Sequence, residues 1–326
     1  MNQLKYKYFF LIILNIALFV SVILISFNLS QINLSLEIVT LFKIPKAATA
    51  FFSGGILSLC GLLLQNLLRN PLAEPHILGI QSGSSFFIIL YIFLVSRYPN
   101  SDLLINSQFS LPFIFSLFGA LISTFFLVFT FKLVKNNNNI LIVGILLSIL
   151  FNALTSFTTQ WLESQGVQAF LNWTYGSFEN ASTNELLLLM CCSLILITIL
   201  LFFSKHLDLF SLGERTARSL GLDTKSVSLL FIMITSICTG LICSLCGPIG
   251  FVGFISPHLA KILFKTGRHS VLILGSYFSG SAVALCLQLI SDLFSPMPIN
   301  LSTVSGILSV PFIIIYILKE NKKRYA

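Results

Sequence analysis

The stretch FSLGERTARSLGLD, residues 210–223, interrupts an otherwise oily chain. Glu214, Arg215, Arg218 and Asp223 fall within it, although only 9% of the 326 residues are charged. Lys205, Asp208 and Lys225 lie close by. Apolar runs flank it on both sides, each long enough to cross a bilayer, which takes about 20 mostly apolar residues. A charged, helix-like segment between two such runs reads as a water-facing loop of a membrane protein.

Composition leads to the same place. Hydrophobic residues make up 56% of the chain and its mean hydropathy is +0.95. A soluble domain of this length could not hide that much apolar surface. There is no extended polar block, so the reading is one all-α integral membrane domain over residues 1–326. The run from Tyr8 to Phe27 follows Lys5 and Lys7 and is longer than the apolar region of a signal peptide. No small-residue cleavage site follows it, so it is read as a retained first span. The seven cysteines, Cys60, Cys191, Cys192, Cys238, Cys243, Cys246 and Cys286, all sit in apolar runs. They read as small hydrophobes and not as a disulfide framework.

Hydropathy gives ten spans: 8–27, 47–66, 77–96, 109–131, 139–160, 184–204, 227–246, 248–265, 270–290 and 301–318. The eighth, GPIGFVGFISPHLAK, is rich in Gly and Pro, which neighbouring helices can accommodate. With both termini on the cytoplasmic side, 16 of the 19 Lys and Arg fall inside, and only Lys43, Lys46 and Arg97 fall outside. The stretch at 210–223 is then cytoplasmic, between spans six and seven. The net charge of +8 follows from this topology and does not point to nucleic acid.

Ser211 and Glu214 have the S-x-x-E spacing of a capping box, and Gly221 suits a left-handed helix end. The helix between them is too short to stand alone in water. It is either a solvated connector or a docking helix for a cytoplasmic partner, with Arg215 and Arg218 on one face.

LGERTARSLGLD at 212–223 and GPIGFVGFISPHLAK at 247–261 together resemble the FecCD-type permeases, the membrane subunits of ABC importers for iron–siderophores, haem and vitamin B12. GGILSLCGLLLQNLLRNPLAEPHILGIQSGSS at 54–85 is similar to the family's Gly-rich second span and its NPLA-P--LG-S-GA continuation. WTYGSF at 173–178 resembles its W-x-x-G-S element. The residues carrying these motifs are Gly61, Asn70, Pro71, Gly79, Gly83, Gly247, Pro248, Gly250, Gly253, Pro257 and His258. The resemblance implies that the segment at about 206–225 is the element coupling the pore to an ATP-hydrolysing subunit, through Gly213, Glu214, Arg215, Ala217, Arg218, Leu220 and Gly221. No Walker A motif occurs in the chain, so the ATPase is expected to be a separate polypeptide.

Lys43 and Lys46, in FKIPKAAT, stand where the family has Arg-x-Pro-Arg. The resemblance implies contacts with acidic residues of an extracytoplasmic substrate-binding protein; membrane snorkelling is the alternative. The family's arginine in the outer loop before the last span has no counterpart in SDLFSPMPIN. Span five carries Ser148, Asn152, Thr155 and Thr159 at steps of 4, 3 and 4, with Ser156 and Gln160 widening the stripe. Polar groups at membrane depth line a pathway or join helices. Pathway lining is favoured, because the resemblance implies that this span lies along a dimer's pore. SLCG occurs at 58–61 and 244–247, running in opposite senses, as an inverted repeat would. His76 and His258 have no second ligand at i+4, so no metal site and no cofactor are expected.

The expected protein is a ten-span permease subunit in a bacterial cytoplasmic membrane. Its expected partners are a second or sister permease, two ATPase subunits and a binding protein. Its expected cargo is an iron(III)–siderophore, with vitamin B12 or haem as alternatives. An ion-coupled secondary transporter would need an ionisable residue near a span centre, and none is evident. A membrane-embedded enzyme lacks a nucleophile–base or metal constellation.

Overall fold

In hydrocarbon every backbone N–H and C=O must be satisfied within its own segment, so apolar runs fold as helices. The computed structural model describes residues 2–28, 43–98, 110–133, 137–179, 181–294 and 299–324, and these hold thirteen helices and no strand. Named in chain order, α1 is Asn2–Asn28, α2 Ile44–Leu68, α3 Ile80–Arg97, α4 Ser110–Leu133 and α5 Asn137–Thr159. Next come α6 Ser164–Thr174, α7 Thr183–Phe202, α8 Ser204–Leu212 and α9 Glu214–Ser219. The series closes with α10 Thr224–Cys246, α11 Val252–Phe264, α12 His269–Leu293 and α13 Leu301–Arg324. Eight helices have the length and composition of spans, and two shorter apolar helices, Val252–Phe264 and Leu301–Tyr316, correspond to the remaining two expected runs.

α2 is the hub. It packs on α12, α11, α10, α7 and α1, and almost all of it is buried. Such enclosure depends on small residues that let backbones close up. A methyl group on Gly61 would overlap the Gly253 carbonyl of α11, so this crossing admits only glycine. α1 is fastened differently. Asn15, buried in its middle, donates from Nδ2 to the Phe278 carbonyl of α12 at 2.9 Å.

α11 starts later than the apolar run predicts, at Val252, because residues 247–250 leave the helix and Phe251 takes a left-handed φ of 69°. Pro257 sits inside α11 and has no N–H, so the Gly253 carbonyl four residues back loses its helical donor. Gln65 of α2 replaces it: its Nε2 reaches the Gly253 and Phe254 carbonyls at 3.4 and 3.3 Å.

One sequence expectation needs correction. Ser211 does not cap the helix at Glu214. It ends α8, with its hydroxyl donating to the Asp208 carbonyl at 2.6 Å, and Gly213 at φ 123° takes the capping position. The capping box lies instead at Ser182 and Glu185, at the start of α7. The two SLCG copies sit in unlike places, Gly61 within α2 and Gly247 at the end of α10.

Candidate functional site

The charged stretch folds as a helix–break–helix. α8 stops at Gly213, α9 makes about one and a half turns, and Gly221 at φ 87° ends it. The Gly221 N–H bonds the Arg218 carbonyl at 2.9 Å and the Leu222 N–H bonds the Ala217 carbonyl at 3.0 Å, which is a Schellman closure. Beneath it Ala217, Leu222 and Phe210 are buried against Leu67 of α2 and Ile232 of α10. Here lies the support that so short a helix needs. Polar ties reinforce it. Asn66 Nδ2 donates to the Leu207 carbonyl at 2.9 Å, Arg69 reaches the Phe210 carbonyl at 3.4 Å, and Asp208 accepts from the His269 backbone N–H at 2.8 Å.

The outward side is unlike the underside. Arg215 is exposed, and Leu212 and Leu220 beside it are 62% and 58% exposed. Arg218 is partly committed inward: it pairs with Glu214 at 2.5 Å and donates to the Thr224 hydroxyl at 2.8 Å. Asp223 caps α10, and the hydroxyl and N–H of Ser226 hold its carboxyl below the usual range.

Roughly 37 Å away, at the other end of α2, stand the lysines. Lys43 and Lys46 are both buried. The Lys46 ammonium lies 2.6 Å from Glu179 and 2.7 Å from Asp292, and Gln288 of α12 donates to the same Asp292 carboxylate at 2.8 Å. Lys46 therefore ties α2 to the end of α12 and to the segment before α7. Nothing in the sequence marked this cluster, because its members are separated by 133 and 246 positions.

The polar stripe lies on α5, which packs on α3 and α4 and leaves its other side open. Ser148 turns toward the Ile77 carbonyl at 3.5 Å, while Thr155 and Thr159 bond the carbonyls four residues before them, at 2.8 and 2.7 Å. Asn152, Ser156 and Gln160 are exposed. The stripe borders an open surface and is not used up as glue between helices of this chain.

Pro248, Gly250 and Gly247 flank a buried polar joint, and the other motif residues shape the turns and helix contacts around it. Asn70 closes a turn containing Pro71 by accepting the Leu72 N–H at 2.8 Å. Gly79, with φ 78°, starts α3, and Gly83 packs on α4 at Gly119. Glu74, 3% exposed, accepts the Phe251 N–H at the start of α11. Burial pushes its carboxyl up to about 8, with the Phe251 N–H pulling the other way. His76 meets Gln81 at 2.7 Å, and Gln81 donates to the Ile249 carbonyl at 2.9 Å, between Pro248 and Gly250. The loop after α2 is thereby stitched to the loop before α11. The WTYG turn joins the same region, with the Ser177 N–H on the Cys246 carbonyl at 2.9 Å, next to Gly247. His258 Nδ1 bonds the Phe254 carbonyl at 2.8 Å, and its ring packs on Tyr316. Among the described residues, no group of three or more His, Cys, Asp or Glu is placed to hold a metal ion. All seven cysteines are free.

Comparison with known proteins places this architecture. The FecCD transport family matches residues 8–319. The chain is 29% identical over 298 residues to the molybdate import system permease protein MolB of Haemophilus influenzae, covering 87% of this chain and 82% of that one. It is 28% identical over 283 residues to the iron(3+)-hydroxamate import system permease protein FhuG of Bacillus subtilis, covering 86% and 83%. Among solved structures it is similar to a metal-chelate type ABC transporter in an inward-facing conformation, with TM-score 0.82, 25% identity, and coverage of 97% of this chain and 99% of that one.

Proposed function

The chain belongs to the FecCD transport family as a membrane-spanning permease subunit of an ABC importer, and we propose that its cargo is an iron(III)–siderophore complex. The observation that carries this reading is the uncharged stripe Ser148, Asn152, Thr155, Ser156, Thr159 and Gln160 along the open side of α5. Hydroxyls and amides let a bulky polar chelate pass without holding it by charge. The likeness to an iron(3+)-hydroxamate permease and to a metal-chelate transporter supports it.

The working unit is a dimer with a second or sister permease, in a bacterial cytoplasmic membrane, with both termini on the cytoplasmic side. Two ATPase subunits engage the exposed side of α8–α9 through Arg215, Leu212 and Leu220. Their movement passes by way of Ala217, Asn66 and Arg69 into α2, and from there into the Glu74–Phe251 joint. A binding protein delivers cargo at the opposite end. There Lys43 and Lys46 are the candidate docking cations, with Lys46 held in place by its ion pairs with Glu179 and Asp292.

A second reading follows from the molybdate relative, which matches over a similar share of the chain. Uptake of radio-iron as ferric hydroxamate, and of radiolabelled molybdate, by a strain deleted for this chain separates the two. Loss of iron–hydroxamate uptake alone supports the siderophore reading. Loss of molybdate uptake alone replaces it.

A further inference from the structure

Helices α1, α11, α12 and α13 leave an apolar cavity of about 490 Å³ between them, open on one side. Its α1 wall is Leu11, Leu14 and Leu18, spaced as one helical stripe. Facing them are Ile262 of α11, Cys286 of α12 and Leu308 of α13. α1 and α12 have the length and composition of membrane spans and α11 and α13 are shorter apolar helices, so on this reading the open side faces hydrocarbon, where no water is at hand to fill the space. The volume falls within the ~300–1,000 Å³ of small-molecule sites.

One end of this slot is basic. The Tyr8 hydroxyl donates to the Val271 carbonyl at 2.8 Å, and its ring centre lies 4.6 Å from that of Phe264. The start of α1 is therefore fixed beside the end of α11 and the start of α12. Lys7 continues the Leu11 stripe by one turn, and Lys265 caps α11 one turn beyond Ile262. Lys5, Lys261 and Arg268 flank them and are exposed. Among the described residues none of these five has a carboxylate partner, and the nearby Asp208 is engaged by His269.

We propose that the slot holds an acyl chain of an anionic phospholipid from the surrounding bilayer, with its phosphate received by Lys7 and Lys265. The charge complementarity selects this occupant: a tail needs the dry slot, and an anionic headgroup needs the basic end. The proposal does not depend on which cargo is carried.

The test is native mass spectrometry of the full chain in detergent, titrated with phosphatidylglycerol or with phosphatidylcholine bearing the same tails. One tightly held phosphatidylglycerol per chain is expected, favoured about tenfold over phosphatidylcholine. The double variant Lys7→Glu, Lys265→Glu should abolish that preference and leave phosphatidylcholine binding unchanged. Cys286→Phe, which fills the slot, should displace both lipids. If that variant loses thermal stability, Leu14→Phe fills the slot from the opposite wall. Equal retention of the two lipids by the natural chain overturns the proposal. So does a slot-filling variant that still holds lipid, or cross-linking that places a second copy across Leu14 and Leu308.

Discussion

Lys46 shows how a residue can keep its charge and change its work. As a sequence feature it is an outward-facing cation, open to snorkelling or docking. In the fold it is buried between Glu179 and Asp292. Removing one partner of a buried pair typically costs ~3–5 kcal/mol, because the other charge is left uncompensated. Glu179 is well exposed, so most of that cost belongs to Asp292, whose side chain is 8% exposed. Lys46→Gln should therefore lower thermal stability, and adding Asp292→Asn should restore much of it. A Lys46→Gln protein as stable as the natural one would show the cluster to be idle. Glu74 carries the second residue-scale prediction. Its folded pKa of about 8 is raised above the usual carboxylate value near 4.5. The folded state thus holds a proton that the unfolded state has released, and stability falls as pH rises between those values. Glu74→Gln keeps an acceptor for the Phe251 N–H and cannot ionise. Its stability advantage should grow from pH 5 to pH 8, reaching on the order of a few kcal/mol. Parallel melting-temperature curves for the two proteins would refute the buried proton. Neither role was legible in the sequence, where Glu74 is one letter of a loop and its partner lies 177 positions away.

At the scale of elements, α9 was half legible. Its charge, its shortness and the terminating Gly221 are all local signals, and the Schellman closure matches them. Its start was misread, because S-x-x-E spacing does not say whether the serine is already in a helix. Ser211 is in one. α6 went unread altogether, although Val167, Phe170 and Leu171 have helical spacing; the helix is short and half-exposed, and hydropathy windows pass over it. The structure also sharpens the test of coupling. Arg218→Glu would set two carboxylates side by side at Glu214 and disturb α9 itself. Arg215→Glu changes only the exposed side. It should leave the chain inserted and folded while weakening ATPase association and transport several-fold, as reversal of a rim charge does. Normal transport by that variant, with normal co-purification of the ATPase, would remove α8–α9 from the docking surface.

For the whole molecule, the ten apolar runs and their order were legible because lipid enforces length and composition on every crossing. How the helices pack was not. That α2 sits at the centre follows from glycine-mediated contacts between distant segments, and hydropathy is blind to these. Orientation is tested by labelling single cysteines in a cysteine-free background. Ser226→Cys, at the α9–α10 junction, should react with an impermeant maleimide only from the cytoplasmic side, and Asn172→Cys on α6 only from the outer side. Reaction of both from one face would contradict an arrangement that puts them at opposite ends of the bundle. The amide of Gln65 beneath Pro257 carries a consequence for biogenesis. A helix with an unserved carbonyl is a poor tenant of the translocon's lipid exit. α11 emerges from the ribosome nearly 200 residues after α2, and it completes its hydrogen bonding only against a partner made long before. Assembly is thereby expected to be vectorial, with the early helix as the template on which the late one settles. A chain in which α11 fails to reach α2 leaves the Gly253 carbonyl bare.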